Sequence, residues 1–370
     1  MEFTIERAAL QKELGFVQGV VERKNTIPIL SNILIETLGE RTIRITGTDL
    51  DVTIRSDVEA DITTPGSICI QARKLFDITR LLPDAPVKFT REENYWVTMI
   101  CERAKFRVPG VSVENFPELP GFKSAPVSIP AGTIRKMIER TIFAVTMEET
   151  RYALSGAKFI IGKEGAVMVA TDGHRLALIS TKEIEEEVKN VGANVLIPKK
   201  TLGELNKLLA AQDGSVKFGS DESHVYFEVG NHLLISRLLN GKFPNYEMVI
   251  PQNNDKVTTI NAAELNRIIK RVSVMADEQT RVVKLGLRKA EIKVSAKTAE
   301  EGEATETAPV DYSGEEVEIG FNTNYVQDFL SVVGEGEVSI ELKDSSAQAL
   351  LKVKGEEKYD YKYIVMPMRI

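Results

Sequence analysis

The stretch VATDGHRLAL, residues 169–178, places Asp172, His174 and Arg175 within four positions. An aspartate, a histidine and an arginine crowded onto one turn have the look of general acid–base chemistry. His174 is one of only three histidines in the chain, so a catalytic role would leave a visible mark. The partners such a role needs are missing. His224 and His232 fall in a strand-like hairpin of another segment, with no carboxylate cluster beside them. The chain has no G-x-x-x-x-G-K-[ST], no G-x-G-x-x-G and no G-x-S-x-G, and no Cys/His cluster with zinc-ligand spacing. No cofactor and no metal are therefore expected. The turn serves either as an active site or as a surface whose side chains do something else.

The elements that position this turn repeat along the chain. A short strand followed by an amphipathic helix occurs at FTIERAALQKELGFVQGVV (3–21), VSIPAGTIRKMIERTIFAV (127–145) and TTINAAELNRIIKRVSVMA (258–276). A second strand–helix pattern occurs at ICIQARKLFDITRLLPDAPVKF (68–89), VLIPKKTLGELNKLLAAQDGSVKF (195–218) and VEIGFNTNYVQDFLSVVGEGEVSIEL (317–342). The two alternate strictly, which is the mark of an internal repeat. Apolar stripes at helical spacing, such as Leu10, Leu14, Val17, Val21 and Ile134, Ile138, Ile142, Val145, predict helices over 7–24, 72–82, 131–147, 199–211, 262–275 and 323–334. Period-two alternation in 42–62 and 224–241 predicts strands between them. The acidic stretch AEEGEATET (299–307) reads as a loop. Breaks near 123–127 and 251–256 divide the chain into domains 1–124, 125–252 and 253–370. The fold class expected is α+β: three repeated domains, each with two helices and antiparallel sheets.

Charge narrows the class of partner. The chain of 370 residues has 47 Lys and Arg against 54 Asp and Glu, a net charge of −7 that argues against nucleic acid on its face. Yet the six predicted helices carry 16 Lys/Arg and 7 Asp/Glu, a net of +9, which leaves −16 on everything else. Helices gathered on one side would make that side basic, and a basic face without base-reading side chains suits sequence-independent phosphate contact. The helices have few aromatics for stacking on single strands, so double-stranded DNA is the better ligand. Two chains joined head to tail would supply twelve helices. Packed about 9 Å apart, they line a circle roughly 35 Å across and leave a hole of about 25 Å, wide enough for a duplex and a layer of water. No apolar run is long enough to span a bilayer and no signal pattern opens the chain, so a cytoplasmic protein with two reduced thiols, Cys69 and Cys101, and no membrane partner is expected.

With GTDLDV (47–52), ARKLFDI (72–78), ATDGHRLA (170–177), FPNYE (243–247) and VMPMRI (365–370), the chain resembles the bacterial DNA polymerase III beta subunit family, the sliding clamps, over its full length. The resemblance implies the DNA clamp fold closed into a ring as a head-to-tail homodimer. Such a ring encircles duplex DNA and tethers the DNA polymerase III catalytic subunit as a processivity factor in DNA replication. It also implies clamp loader subunits, other polymerases and repair proteins as partners through short linear peptides, and no catalysis by the clamp itself. TDGHRL then becomes one wall of a peptide pocket.

Carried over residue by residue, that pocket comprises Leu154, Thr171, Gly173, His174, Arg175, Leu176, Pro244, Met248, Val249, Asn322, Tyr325, Ser346, Val365, Met366, Pro367, Met368 and Arg369. The methionines, the proline and the tyrosine suit an adaptable apolar groove. The family's DNA contacts match Lys24, Arg73, Arg151 and Tyr152, and its ring joint matches Phe106 and Val108 on one side, Val274 and Met275 on the other. Two departures stand out: Thr280 where the family often has an aromatic, and Met248 where a second arginine follows FP-x-Y. Both point to a pocket of different shape and lower charge.

Overall fold

The computed structural model describes the chain except for residues 23–26, 122–125, 147, 149, 190, 299–301 and 370. Seven α-helices occur among the described residues: α1 (Arg7–Val17), α2 (Ala72–Leu81), α3 (Ala131–Glu139), α4 (Glu185–Val188), α5 (Lys199–Ala210), α6 (Ala262–Val272) and α7 (Thr323–Val333). Six begin at or within a residue of the predicted starts; the single turn α4 was not anticipated. Two predicted helices end at least seven residues early. α1 stops at Val17, and Val20 rather than Val21 completes the buried stripe of Leu10, Leu14 and Val17. The Gly19 N–H then bonds the Phe16 carbonyl at 3.1 Å, and Gly19 lies against the Glu204 carboxylate, where a Cβ would stand 2.5 Å from Oε2. α3 stops at Glu139; the Thr141 hydroxyl bonds back to the Met137 carbonyl at 2.8 Å, and a 3₁₀ turn, Ile142–Ala144, follows.

Two compact units result. The first contains Met1–Arg135 and Lys200–Leu238, the second Lys136–Lys199 and Leu239–Ile370. This division cuts through the middle repeat. In the first unit a thirteen-stranded antiparallel sheet runs continuously from the first repeat into the second, through the pairing of Val52–Glu59 with His232–Arg237. The cross-strand pair Ile54 and Leu234 is fully buried there. α1 packs beside α2 over this sheet. In the second unit an eight-stranded sheet unites the remaining strands of the middle repeat with four strands of the last, through Arg175–Thr181 and Asp360–Val365. A four-stranded sheet completes that unit. α6 and α7 lie side by side, with Asn266 donating to the Ser331 hydroxyl at 3.1 Å.

One strand contradicts the expected loop at 299–307, of which 299–301 lie outside the described residues. Gly302–Pro309 is a β-strand in full register with Glu291–Thr298, from Glu291 opposite Pro309 to Thr298 opposite Gly302. Its acids are matched by cations on its neighbours: Glu303 faces Lys297 at 3.7 Å, and Glu306 takes a hydrogen bond from Arg271 of α6 at 2.9 Å. Alternating threonines at 305 and 307 supply the β-branched pattern. The acidic composition hid a strand whose charges are neutralised across the ladder.

Each of the hairpin histidines has a single carboxylate beside it. His224 Nδ1 lies 3.7 Å from Asp221, and His232 Nε2 donates to Glu13 of α1 at 2.7 Å in the core of the first unit. Ser56 donates to the same Glu13 oxygen. Burial opposes the Glu13 charge, but the His232, Ser56 and Asn231 donors outweigh it and hold the carboxyl below its ordinary value of 4.5. A depressed folded value means stability that is present above the unfolded value and lost as pH falls through the folded one. Glu13→Gln is therefore expected to cost about 1–3 kcal/mol at neutral pH and to flatten the fall in stability below a pH of about 4.5. Urea denaturation at neutral and acid pH checks this; an equal loss at both would contradict it.

Candidate functional site

The turn at residues 171–175 is built by its own aspartate. Asp172 Oδ1 accepts the backbone N–H of His174 at 2.9 Å and of Arg175 at 3.0 Å, while Oδ2 accepts from Arg175 Nε at 3.0 Å. Thr171 adds a hydroxyl bond to the Arg175 carbonyl at 2.6 Å, and Gly173 takes a φ of 89° that a side chain would resist. Asp49 makes the same turn, accepting from Asp51 and Val52 at 3.0 and 2.6 Å, as does Asp221, accepting from Ser223 and His224 at 2.8 Å each. The carboxylate that would have oriented a catalytic histidine is thus consumed in backbone geometry. The His174 ring is exposed and makes no hydrogen bond to a described residue; it lies parallel to Tyr325, centroids 6.3 Å apart.

Beside this turn lies a groove of about 230 Å³. Its walls are Leu154, Thr171, Gly173, His174, Arg175, Leu176, Pro244, Tyr246, Val249, Ile364 and Met366. Nine of these are residues expected from the sequence. Beneath them Val169, Leu176, Leu178, Leu196, Phe243, Leu350 and Ile364 form one buried apolar cluster, so the groove has a rigid floor. The C-terminal segment closes one side. Val365 pairs with Arg175 across the sheet, the Met366 N–H donates to the His174 carbonyl at 2.9 Å, and the Met368 N–H donates to Gly320 at 2.9 Å. A half-buried apolar groove with few polar atoms fits a short apolar peptide segment.

The other expected pocket residues lie around the groove rather than in its lining. Tyr325 stacks under the Arg175 guanidinium, 4.5 Å from its centroid, and burial pushes its hydroxyl above the usual tyrosine range. Asn322 caps α7 by accepting the Asn324 N–H at 3.0 Å. Ser346 is tied to Asp344 at 2.7 Å, Val365 is buried, Pro367 and Met368 are half-buried, and Arg369 is exposed. Met248 is 81% exposed on the 3₁₀ turn Tyr246–Val249. Thr280 is spent on its own turn, bonding Asp277 at 2.9 Å. Tyr246 and Ile364 escaped the residue-by-residue reading. Tyr246 stands inside FPNYE, and Ile364 follows from strand alternation, two residues before Met366 on the same face.

The expected nucleic-acid residues are separate. Arg73 is exposed on α2, 3.8 Å from Asp77, at a hollow of about 650 Å³ shared with Gln18, Gly19 and Lys207. Arg151 is held by Glu148 at 2.9 Å and donates to the Asp172 carbonyl at 2.8 Å, and Tyr152 is exposed. Lys24 lies outside the described residues.

Each sheet ends in strands paired on one side only, and two unpaired edges bear on the expected ring joint. Ala104–Val111 pairs with Trp96–Cys101 on one side but reaches Ser67–Gln71 only through Gly110 and Val111, so its edge from Ala104 to Pro109 has no partner among the described residues. Gly302–Pro309 pairs only with Glu291–Thr298. Phe106 is 36% exposed on the first edge, and Val274 is 73% exposed in the turn after α6. Val108 is 7% exposed and belongs to its own sheet, opposite Val97; Met275 is half-buried. Cys69 and Cys101 are free and buried, and burial pushes the Cys69 thiol up to about 12. Among the described residues no group of acids, histidines or cysteines could hold a metal, and no helix is long and apolar enough to cross a membrane.

Three repeats of a two-helix, antiparallel-sheet domain define an α+β clamp architecture. Residues 1–120, 128–245 and 247–369 match the N-terminal, central and C-terminal domains of the DNA polymerase III beta subunit. The chain is 36% identical to the Beta sliding clamp of Pseudomonas putida over 375 residues and 32% identical to that of Escherichia coli over 372, covering all of each protein. Among solved structures, the DnaN sliding clamp of Pseudomonas aeruginosa matches with a TM-score of 0.94 at 36% identity over the whole of both chains. The Bacillus subtilis clamp matches with 0.94 at 31%, over 100% of this chain and 99% of that one. The chain belongs to the DNA polymerase III beta subunit family. Its function is that of a DNA sliding clamp, a processivity factor for DNA polymerase.

Proposed function

We propose that the clamp works as a head-to-tail homodimer whose ring encircles double-stranded DNA without reading its sequence. The observation that carries this reading is that two of the unpaired strand edges, Ala104–Pro109 and Gly302–Pro309, have an exposed apolar side chain beside them, Phe106 and Val274. An unpaired edge with apolar side chains invites a partner strand, and edges at opposite ends of the chain form a heterologous joint that closes after two copies. Domains bounded near residues 124 and 252 each add two helices to the inner wall. Lys24, Arg73, Arg151 and Tyr152 meet the DNA backbone there. The groove at His174 and Met366 takes short peptides of the DNA polymerase III catalytic subunit, of the clamp loader and of other polymerases and repair proteins. The protein is cytoplasmic and has no catalysis of its own, in keeping with the consumption of Asp172 by its turn.

Phosphate contact leaves a signature in salt. Replacing both Lys24 and Arg73 by alanine is expected to weaken retention on DNA while the fold persists, because Arg73 is exposed. The slope of log affinity against log salt should fall by about 0.9 for each contact removed. Binding measured between low and physiological salt tests this; an unchanged slope excludes phosphate contact at these sites.

A further inference from the structure

Arg175 walls the groove, yet its guanidinium is already taken. Nε donates to Asp172 at 3.0 Å, Nη1 to Asp328 at 2.6 Å and Nη2 to the Phe143 carbonyl at 2.8 Å. The Tyr325 and Phe143 rings lie 4.5 and 5.5 Å from its Cζ, and its side chain is 10% exposed. A free arginine in a groove selects carboxylates through its fork of donors. Here the fork is bound, and the part left to face an occupant is the alkyl stem. Asp172 cannot move away, since its other oxygen holds the turn. Asp328 is different: it stands on α7, one turn after Tyr325, is 43% exposed and has no other ion-pair partner among the described residues.

We propose that Asp328 is a positioning residue that sets what the groove accepts. By holding Arg175 against Tyr325, it converts a basic wall into an apolar one and biases the groove toward uncharged, leucine-like side chains over acidic ones. This rests on the reading of the groove as a peptide site. Asp328 touches no occupant and acts through Arg175.

The test uses the intact protein and two short peptides: a Gln- and Leu-containing clamp-type peptide, and the same peptide with its anchoring Leu changed to Glu. Both compete against a fluorescent copy of the first, so weak binding remains readable. Asp328→Asn is expected to weaken the Leu peptide a few-fold and to strengthen the Glu peptide, so that the Leu-to-Glu preference drops by about tenfold. Asp328→Glu, which keeps the charge, should retain most of the wild-type preference and serves as the second variant. A loss of affinity equal for both peptides would show that Asp328 only supports the fold, and would overturn the proposal. Failure of the wild-type protein to bind the Leu peptide would instead overturn the peptide-site reading beneath it.

Discussion

Val274→Asp is expected to convert the proposed dimer into a folded monomer of 41.1 kDa in sedimentation at micromolar concentration. The side chain is 73% exposed in the single chain, so the substitution leaves the monomer's core alone and the circular dichroism spectrum should not change. In the proposed ring the same position is covered, and an unpaired carboxylate there would cost several kcal/mol. Two joints close the ring, so the cost is felt twice. A loss of even 4 kcal/mol corresponds to roughly a thousandfold in dimer affinity. Met275 is a poorer probe, because it is half-buried within its own chain and an aspartate there would disturb the fold as well. A dimer that survives Val274→Asp at sub-micromolar concentration would place Val274 outside the joint.

Deleting residues 366–370 removes Met366 from the groove and with it the backbone bonds to His174 and Gly320. Burial of a methionine side chain contributes about 1.5–3 kcal/mol, so peptide affinity should fall by at least about tenfold and as much as a hundredfold. The sheet should survive, since Val365 and the strand before it stay paired. DNA retention and dimer mass should be unchanged. Calorimetric titration of a Gln- and Leu-containing peptide into both forms decides; full-strength binding by the shortened chain would rule out the groove as the peptide site.

The sequence carried the repeats, the helix starts and most of the groove because these depend on local signals. Apolar stripes locate helices, and Asp-x-x turns announce themselves by composition. What escaped depends on contacts between distant segments. Nothing near Gly19 signals Glu204, whose carboxylate leaves no room for a side chain there. Glu13 and His232 are 219 positions apart and meet only once the sheet crosses from one repeat to the next. Gly302–Pro309 looked like a loop because its acids find cations on a neighbouring strand and on α6. The same holds at the groove: TDGHRL suggested catalysis, while Asp328, 153 positions from Arg175, shows why that arginine is not free for it.

Central to the account is a ring held on DNA by topology rather than by affinity. The direct measurement loads the protein onto a closed circular plasmid with a clamp loader, removes free protein by gel filtration at moderate salt, and then cuts half of the sample once with a restriction enzyme. The account predicts that the protein stays on the circle for many minutes and leaves within the time of cutting when the DNA becomes linear. Equal retention on circular and linear DNA would contradict it, because a protein bound only by contacts has no reason to sense an end.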